Sequence, residues 1–182
     1  MTSVASPFDV LEFWWNAGPA KWWSRNDKFD RALEDRFRDT YEAAIAGDLD
    51  GWADSAHGAL ALVLLLDQIS RNLNRQSAKA FAYDAKALAL AEASIDREYD
   101  RAFPEPARCF FYLPFMHAED MDAQERCVDL CRVSGQSESY KSALEHMDII
   151  RRFGRFPHRN TVLGRETTDA ERRFLESGGF KG

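Results

Sequence analysis

The sequence predicts an all-α protein. Residues that cap helices recur along the whole chain, apolar residues repeat at helical spacing, and no segment has the alternation of a strand or the turn of a hairpin. Short connections between helices favour antiparallel neighbours. We therefore expect a single helical domain over residues 1–182, with seven to eight antiparallel helices in a bundle or a superhelix.

The first two helices have clear boundary signals. Ser6 is an N-cap before Pro7, and Gly18 ends the first helix. Asp27 is expected to cap the second helix, and Gly47 to end it. The core-facing side of the second helix is predicted from residues four apart: Phe29, Leu33, Phe37, Tyr41 and Ile45.

The third helix is predicted to be the buried centre of the fold. It begins near Asp54 and contains "HGALALVLLLDQISRNL", which is apolar on all sides from Ala59 to Leu66. Ser77 is expected to cap a fourth, alanine-rich helix that runs to about Ile95.

Two more helices follow around a proline. The fifth is predicted from about Pro106, and Pro114 is expected to kink or end it. The sixth runs from Asp122 to about Val133, before Ser134-Gly135.

The last two helices flank an arginine-rich loop. The seventh runs from about Glu138 to Phe153, where Gly154 fits the left-handed position that ends a helix. After the loop, Thr168 and Glu171 form a capping box that predicts a short final helix.

Composition and charge exclude several functions. The net charge of −6 argues against nucleic-acid binding. The longest apolar run, from Gly58 to Leu66, is too short to span a membrane. Three cysteines and a start without a leader pattern, "MTSVASPFDV", predict a cytoplasmic protein with buried free thiols. No zinc, phosphate-loop, dinucleotide or nucleophile-elbow motif is present, so we expect no cofactor and no metal.

Three long stretches carry a family resemblance: "LLDQISRNLNRQSAKAFAYDAKAL" at 65–88, "CFFYLPFMHAED" at 109–120 and "HMDIIRRFGRFPHRNTVLGRETTDAERRFL" at 146–175. They resemble an uncharacterised bacterial family, the domain of unknown function number nine hundred and twenty-four. Ser70 stands where that family often has proline. The resemblance implies a tetratricopeptide-like right-handed helical superhelix and leaves the activity open.

A polar cluster is the first candidate site. Asp67 follows the apolar run and needs a cationic partner. Arg71 is the local candidate, and an arginine from 151–159 is the long-range one. His117 and Glu119 follow the fifth helix and suit acid–base chemistry. In the stretch "RRFGRFPHRN", Phe153 and Phe156 are expected to anchor the loop, which leaves three cationic side chains: Arg155, His158 and Arg159. These seven polar residues form either an anion-binding pocket or structural ion pairs.

Tryptophans supply the second candidate. Trp14, Trp15, Trp22 and Trp23 either fill the core or line an aromatic groove or a dimer surface. Two functional hypotheses follow. The protein is a module that binds a protein or peptide partner, or a second copy of itself as a homodimer. Alternatively, it is an enzyme or binding protein for a small anionic metabolite, acting through the polar cluster.

Overall fold

The chain is built from helices, as the sequence predicts. The structure is a computed structural model that describes residues 4–135 and 137–180, and within this range it contains no β-strand. Contacts divide the chain into two compact units. The N-terminal unit comprises the described residues of Met1–Arg75 and Lys79–Pro114, and the C-terminal unit those of Gln76–Ala78 and Phe115–Gly182. The single domain and the right-handed superhelix stay predictions.

The N-terminal unit consists of helices joined by short 3₁₀ segments. Its α-helices are α1 (Pro7–Ala17), α2 (Pro19–Trp22), α3 (Asp27–Ala46), α4 (Ala56–Val63), α5 (Ser70–Leu73) and α6 (Asp84–Asp96). Its 3₁₀ segments are Asp50–Asp54, Ala78–Phe81 (whose Ala78 belongs to the other unit), Tyr99–Ala102 and Ala107–Phe111.

A long buried helix forms the centre of this unit. Between α4 and α5 the helix continues through a π-helical segment, Leu64–Ile69, every residue of which is buried. Helices α1 and α6 pack on α4, and α3 packs on the π-helical segment. Gly58 is required for close packing at the start, because a Cβ atom there would lie 2.1 Å from the carbonyl oxygen of Trp52. The predicted central helix is confirmed, but its π-helical turn was not predicted.

The C-terminal unit is built on a helical hairpin. α7 (Leu113–His117) leads into this unit, where α8 (Met121–Ser134) packs along α9 (Ser137–Phe153). A 3₁₀ turn, Pro157–Arg159, and α10 (Asp169–Glu176) follow. Ile149, Ile150 and Phe156 form its core, onto which four partly buried apolar side chains pack: Met121, Phe153, Phe174 and Phe180.

Several predicted boundaries are confirmed. Ser6 and Asp9 form a reciprocal capping box at α1, and Thr168 and Glu171 form another at α10. Glycines in the left-handed conformation end α3 and α8, and one follows α9 at the end predicted for that helix: Gly47, Gly135 and Gly154. The three cysteines are buried thiols that form no disulfide, as expected.

Other boundaries were wrong. Asn26, and not Asp27, caps α3, because its side chain accepts hydrogen bonds from the amides of Lys28 and Phe29. The fourth predicted helix starts at Asp84 instead of Ser77, since a 3₁₀ segment and a turn come first.

Pro114 and the end of α3 also differ from expectation. Pro114 lies in the first turn of α7, where its missing N–H is not needed, so it helps to start a helix instead of ending one. On α3, Ala44 is buried at the last turn while Ile45 is only partly buried.

Candidate functional site

An open aromatic groove lies on the N-terminal unit. Its volume is about 900 Å³, within the range of ligand-binding clefts. We define the aromatic groove by the residues that line it: Phe8, Asp9, Leu11, Glu12, Trp15, Asn16, Trp22, His57, Phe103, Pro104, Glu105, Pro106 and Ala107.

The spacing of residues on α1 builds one wall of this groove. Phe8, Leu11 and Trp15 are three or four positions apart, so they share a face of the helix. The neighbouring face carries Val10 and Trp14, which are buried in the core. As a result α1 is fixed by one apolar face and still presents a second one, with Phe8 65% exposed.

Ring contacts hold the aromatic groove in shape. The indole of Trp22 donates a hydrogen bond to the carbonyl oxygen of Trp14 at 2.7 Å, and its ring lies 5.4 Å from that of Trp15. At the other end, His57 lies between Phe8 and Phe103, at 5.4 and 5.1 Å. These contacts fix two aromatic walls before any ligand binds.

The rim of the aromatic groove is acidic. Asp9, Glu12 and Glu105 line it, and none of the lining residues is lysine or arginine. Two guanidinium groups lie near this rim: Arg36 is 3.7 Å from Asp9, and Arg108 is 4.0 Å from Glu105. An apolar floor with a negative rim favours a ligand that is both apolar and cationic.

Asp67 forms an ion pair with Arg71, the local one of its two candidate partners. Its carboxylate is fully buried, lies 3.0 Å from Arg71 and accepts a hydrogen bond from Gln68 at 2.6 Å. Arg71 also lies 3.0 Å from Asp84. Burial alone would lower the pKa of Arg71, but the charges of Asp67 and Asp84 outweigh it and raise that pKa. We call Asp67, Arg71 and Asp84 the Asp67 network.

Glu119 closes the loop of the C-terminal unit. It accepts two hydrogen bonds from Arg165, at 2.6 and 3.0 Å, and one from the amide of Phe156 at 2.8 Å. Burial alone would raise the pKa of Glu119, but these hydrogen bonds lower it. Arg165 also donates to the carbonyl oxygen of Phe156, so the two side chains fix the backbone behind α9. We call Glu119 and Arg165 the Glu119 network.

Arg155 forms a second closed pair. It donates to both carboxylate oxygens of Glu171, at 2.7 and 2.9 Å, and to the carbonyl oxygen of Glu166 at 2.7 Å. These hydrogen bonds lower the pKa of Glu171 to about 2. Glu171 also completes the capping box of α10, so one carboxylate positions both the helix start and the loop.

The remaining predicted residues contact the same loop. Arg159 is buried, stacks over Phe156 at 4.6 Å and donates to the carbonyl oxygen of His117 at 3.0 Å. Burial lowers the pKa of His158 to about 3, and the charge of Arg159 acts in the same direction.

His146 lies beside His158. Burial lowers its pKa to about 4, and its Nδ1 atom lies 2.7 Å from the carbonyl oxygen of Ser142. Neutral His146 therefore donates from Nδ1. The rings of His146 and His158 lie 4.5 and 5.2 Å from that of Phe180.

The structure thus groups the seven predicted residues by unit. Asp67 and Arg71 pair in the N-terminal unit. His117 pairs with Arg159 in the C-terminal unit, which also contains His158. Glu119 and Arg155 pair with Arg165 and Glu171, which were not predicted. Convergence of all seven in one pocket stays a prediction. In the described part of the chain, no three His, Cys, Asp or Glu side chains are grouped so that they could hold a metal ion.

Sequence reasoning missed the wall of the aromatic groove that residues 103–107 form. It also missed three ion-pair partners: Asp84, Arg165 and Glu171. Pro104 and Pro106, which flank Glu105, were the available signal for a rigid exposed wall. Glu171 was identified as a capping residue, but its link to Arg155 has no signature in the sequence.

Fold and site define the class of protein: an all-α protein with an open aromatic groove and closed ion-pair networks. Residues 10–179 match the family described as bacterial protein of unknown function (DUF924), and the chain belongs to that family. The chain is similar to a solved structure of a protein of unknown function from Agrobacterium tumefaciens, with 48% identity and a TM-score of 0.92. The match covers 94% of this chain and 97% of that chain. No curated protein matches it.

No helix among residues 4–135 and 137–180 combines the length and the apolar character that crossing a membrane requires.

Proposed function

We propose that the protein is a binding module whose aromatic groove holds an extended segment of a protein partner. The segment carries a lysine or arginine beside an apolar side chain. The observation that supports this most directly is the composition of the groove, which combines two aromatic walls with a rim of three carboxylates and no lysine or arginine.

The exposure of the aromatic groove favours a peptide over a compact metabolite. A cavity of about 900 Å³ accommodates several side chains, and Phe8 projects into solvent at its edge. Apolar side chains of the partner would pack between Phe8, Trp15 and Phe103, while its cationic group would lie near Glu12. Glu12 makes no ion pair within the described residues, so its charge is available to a ligand.

Matched peptides test this proposal. The probe is a blocked tetrapeptide, lysine-leucine-phenylalanine-lysine, and its partner replaces both lysines by glutamates. We expect the basic peptide to quench the fluorescence of Trp15 and Trp22 with a Kd of roughly 10 µM to 1 mM, and the acidic one to leave it unchanged. Equal quenching by both peptides, or by neither, would contradict the proposal.

Two variants locate the binding. Glu12→Lys should abolish binding of the basic peptide, because it reverses the charge at the rim. Phe8→Ala should weaken it about tenfold. Val133→Ala is the matched control, since Val133 is 79% exposed but lies in the C-terminal unit. Sedimentation of the protein alone tests whether a second copy of the chain fills the groove. Self-association that Phe8→Ala removes would mean that it does.

A further inference from the structure

The arginines of the C-terminal unit differ in what they contact. The stretch from Arg151 to Arg173 contains seven arginines and three carboxylates. Four of the seven have a close partner: Arg155 and Arg172 bind carboxylates, Arg165 binds Glu119, and Arg159 binds a carbonyl oxygen. The surplus positive charge is therefore carried by Arg151, Arg152 and Arg173, which are exposed.

Two of these three arginines line one cleft. This cleft, of about 540 Å³, lies between the end of α9 and the face of α10. We define the arginine cleft by its lining residues: Arg152, Phe153, Ala170, Arg173, Phe174 and Ser177.

The floor of the arginine cleft is aromatic. The rings of Phe153 and Phe174 lie 5.2 Å apart, and both pack on the core of this unit. The guanidinium of Arg152 lies 4.9 Å from one ring centroid and 5.0 Å from the other. Stacking on two rings removes part of its hydration and holds it in place.

The backbone after α10 holds this floor. The Oγ atom of Ser177 donates to the carbonyl oxygen of Phe174 at 3.0 Å. Gly179 packs directly on the Phe174 ring, where a Cβ atom would lie 2.6 Å from ring carbons. These contacts hold Phe174 in position.

Neither guanidinium is neutralised by a strong ion pair. Arg152 reaches Asp148 only at 3.5 Å, and both side chains are about half exposed, so the pair contributes little. Arg173 has no carboxylate within ion-pairing distance in the part of the chain that the structure describes. Both cations therefore remain available for an anion.

We propose that the arginine cleft binds a small soluble molecule that carries a phosphate on an aromatic group. Arg152 and Arg173 bind the phosphate oxygens, and the aromatic group packs on Phe153 and Phe174. This site is separate from the aromatic groove and does not depend on the function proposed for it.

Phenyl phosphate is the probe that tests the proposal. In ¹H–¹⁵N spectra of the full chain we expect it to shift signals of residues 152, 153, 173 and 174. Inorganic phosphate lacks the ring and should bind at least fivefold more weakly, and benzyl alcohol lacks the charge and should not bind. No shift with phenyl phosphate, or equal affinity for inorganic phosphate, would overturn the proposal.

Adjacent arginines provide the matched control. Arg173→Gln should weaken phenyl phosphate binding at least tenfold. Arg172→Gln should change it less than twofold, because Arg172 pairs with Asp169 and does not line the cleft. Equal losses in both variants would mean that the charge of α10 as a whole attracts the anion, and the site would be rejected.

Binding to lipid vesicles distinguishes a soluble ligand from a lipid headgroup. Co-sedimentation with phosphatidylglycerol vesicles that depends on Arg173, but is not displaced by phenyl phosphate, would overturn the assignment to a soluble molecule. We expect no such dependence.

Discussion

The two units bury their ionic side chains in different ways. In the N-terminal unit, Asp67 and Arg71 lie one turn apart in a continuous helix, and Asp67 is fully buried. In the C-terminal unit, Glu119 and Arg165 lie 46 residues apart, and their side chains keep 24% and 22% exposure. The first pair is part of the central helix itself, whereas the second ties a loop to a helix end.

Asp67 belongs to the π-helical segment. A wider turn at Leu64–Ile69 changes the direction of the side chains that follow it, and such turns are frequent at functional sites. Asp67 lies within this turn, and Arg71 in the α-helix that follows it. Because a buried charge that loses its partner costs several kcal/mol, we expect the loss of one partner to destabilise the Asp67 network more than the Glu119 network.

The largest expected effect is that of Asp67→Asn. An amide has the same shape but removes the buried charge beside Arg71 and leaves this arginine with Asp84 alone, so we expect a loss of about 3 kcal/mol in the free energy of unfolding. Urea unfolding followed by tryptophan fluorescence measures it. All five tryptophans report on the N-terminal unit: Trp14, Trp15, Trp22, Trp23 and Trp52.

The control is Asp129→Asn, since Asp129 forms an exposed pair with Arg132. That change should cost less than about 0.5 kcal/mol. If Asp67→Asn costs no more than this control, the comparison between the two networks fails.

The sequence could predict the Asp67 network because its two main partners are neighbours on one helix. An apolar run before Asp67 indicates burial, and helical spacing then identifies Arg71. The same reasoning correctly predicted Gly154 as the stop after α9 and the capping box at Thr168.

The partners in the C-terminal unit could not be predicted in this way. Glu119 and Arg165 are brought together by the path of the loop, and no local pattern encodes that path. The aromatic groove could be predicted in part. Trp15 and Trp22 were identified as candidates, but Phe103 and Glu105 join them only through tertiary packing.

Acidification should destabilise the C-terminal unit at a higher pH than the N-terminal unit. His146 and His158 have pKa values lowered by burial to about 4 and about 3, from 6.5. The unfolded chain therefore binds protons first, so the stability is complete above about pH 6.5 and falls as the pH decreases toward 4. By pH 5 we expect a loss of about 2 kcal/mol for each histidine. Hydrogen exchange should show earlier opening of α9 and the loop behind it.

His146→Phe tests whether the buried histidines cause this pH dependence. Phenylalanine cannot be protonated, so the loss of stability between pH 6.5 and 5 should decrease by about half. In the N-terminal unit, the resolved carboxylate shifts are downward from 3.8, at Asp9 and Asp30, so they act only below about pH 4. A pH dependence in this window that His146→Phe leaves unchanged would contradict the prediction.

The smallest expected effect is that of Glu119→Gln. The amide still accepts a hydrogen bond from Phe156 but loses the charge that pairs with Arg165, and partial exposure reduces the cost to about 1–2 kcal/mol. Because Glu119 fixes a loop, the loss should be local. Amides of residues 154–165 should exchange faster while the tryptophan fluorescence transition changes little.

Glu138→Gln is the matched control for this change, because Glu138 pairs with Lys141 on the exposed surface of α9. If the loop amides exchange no faster in Glu119→Gln than in this control, Glu119 does not hold the loop. The pair of Arg155 with Glu171 and the hydrogen bond from Arg159 to His117 must then hold it, since both involve the same loop. In that case the contrast between the units would rest on these contacts, and the greater burial of Asp67 would remain as its physical cause.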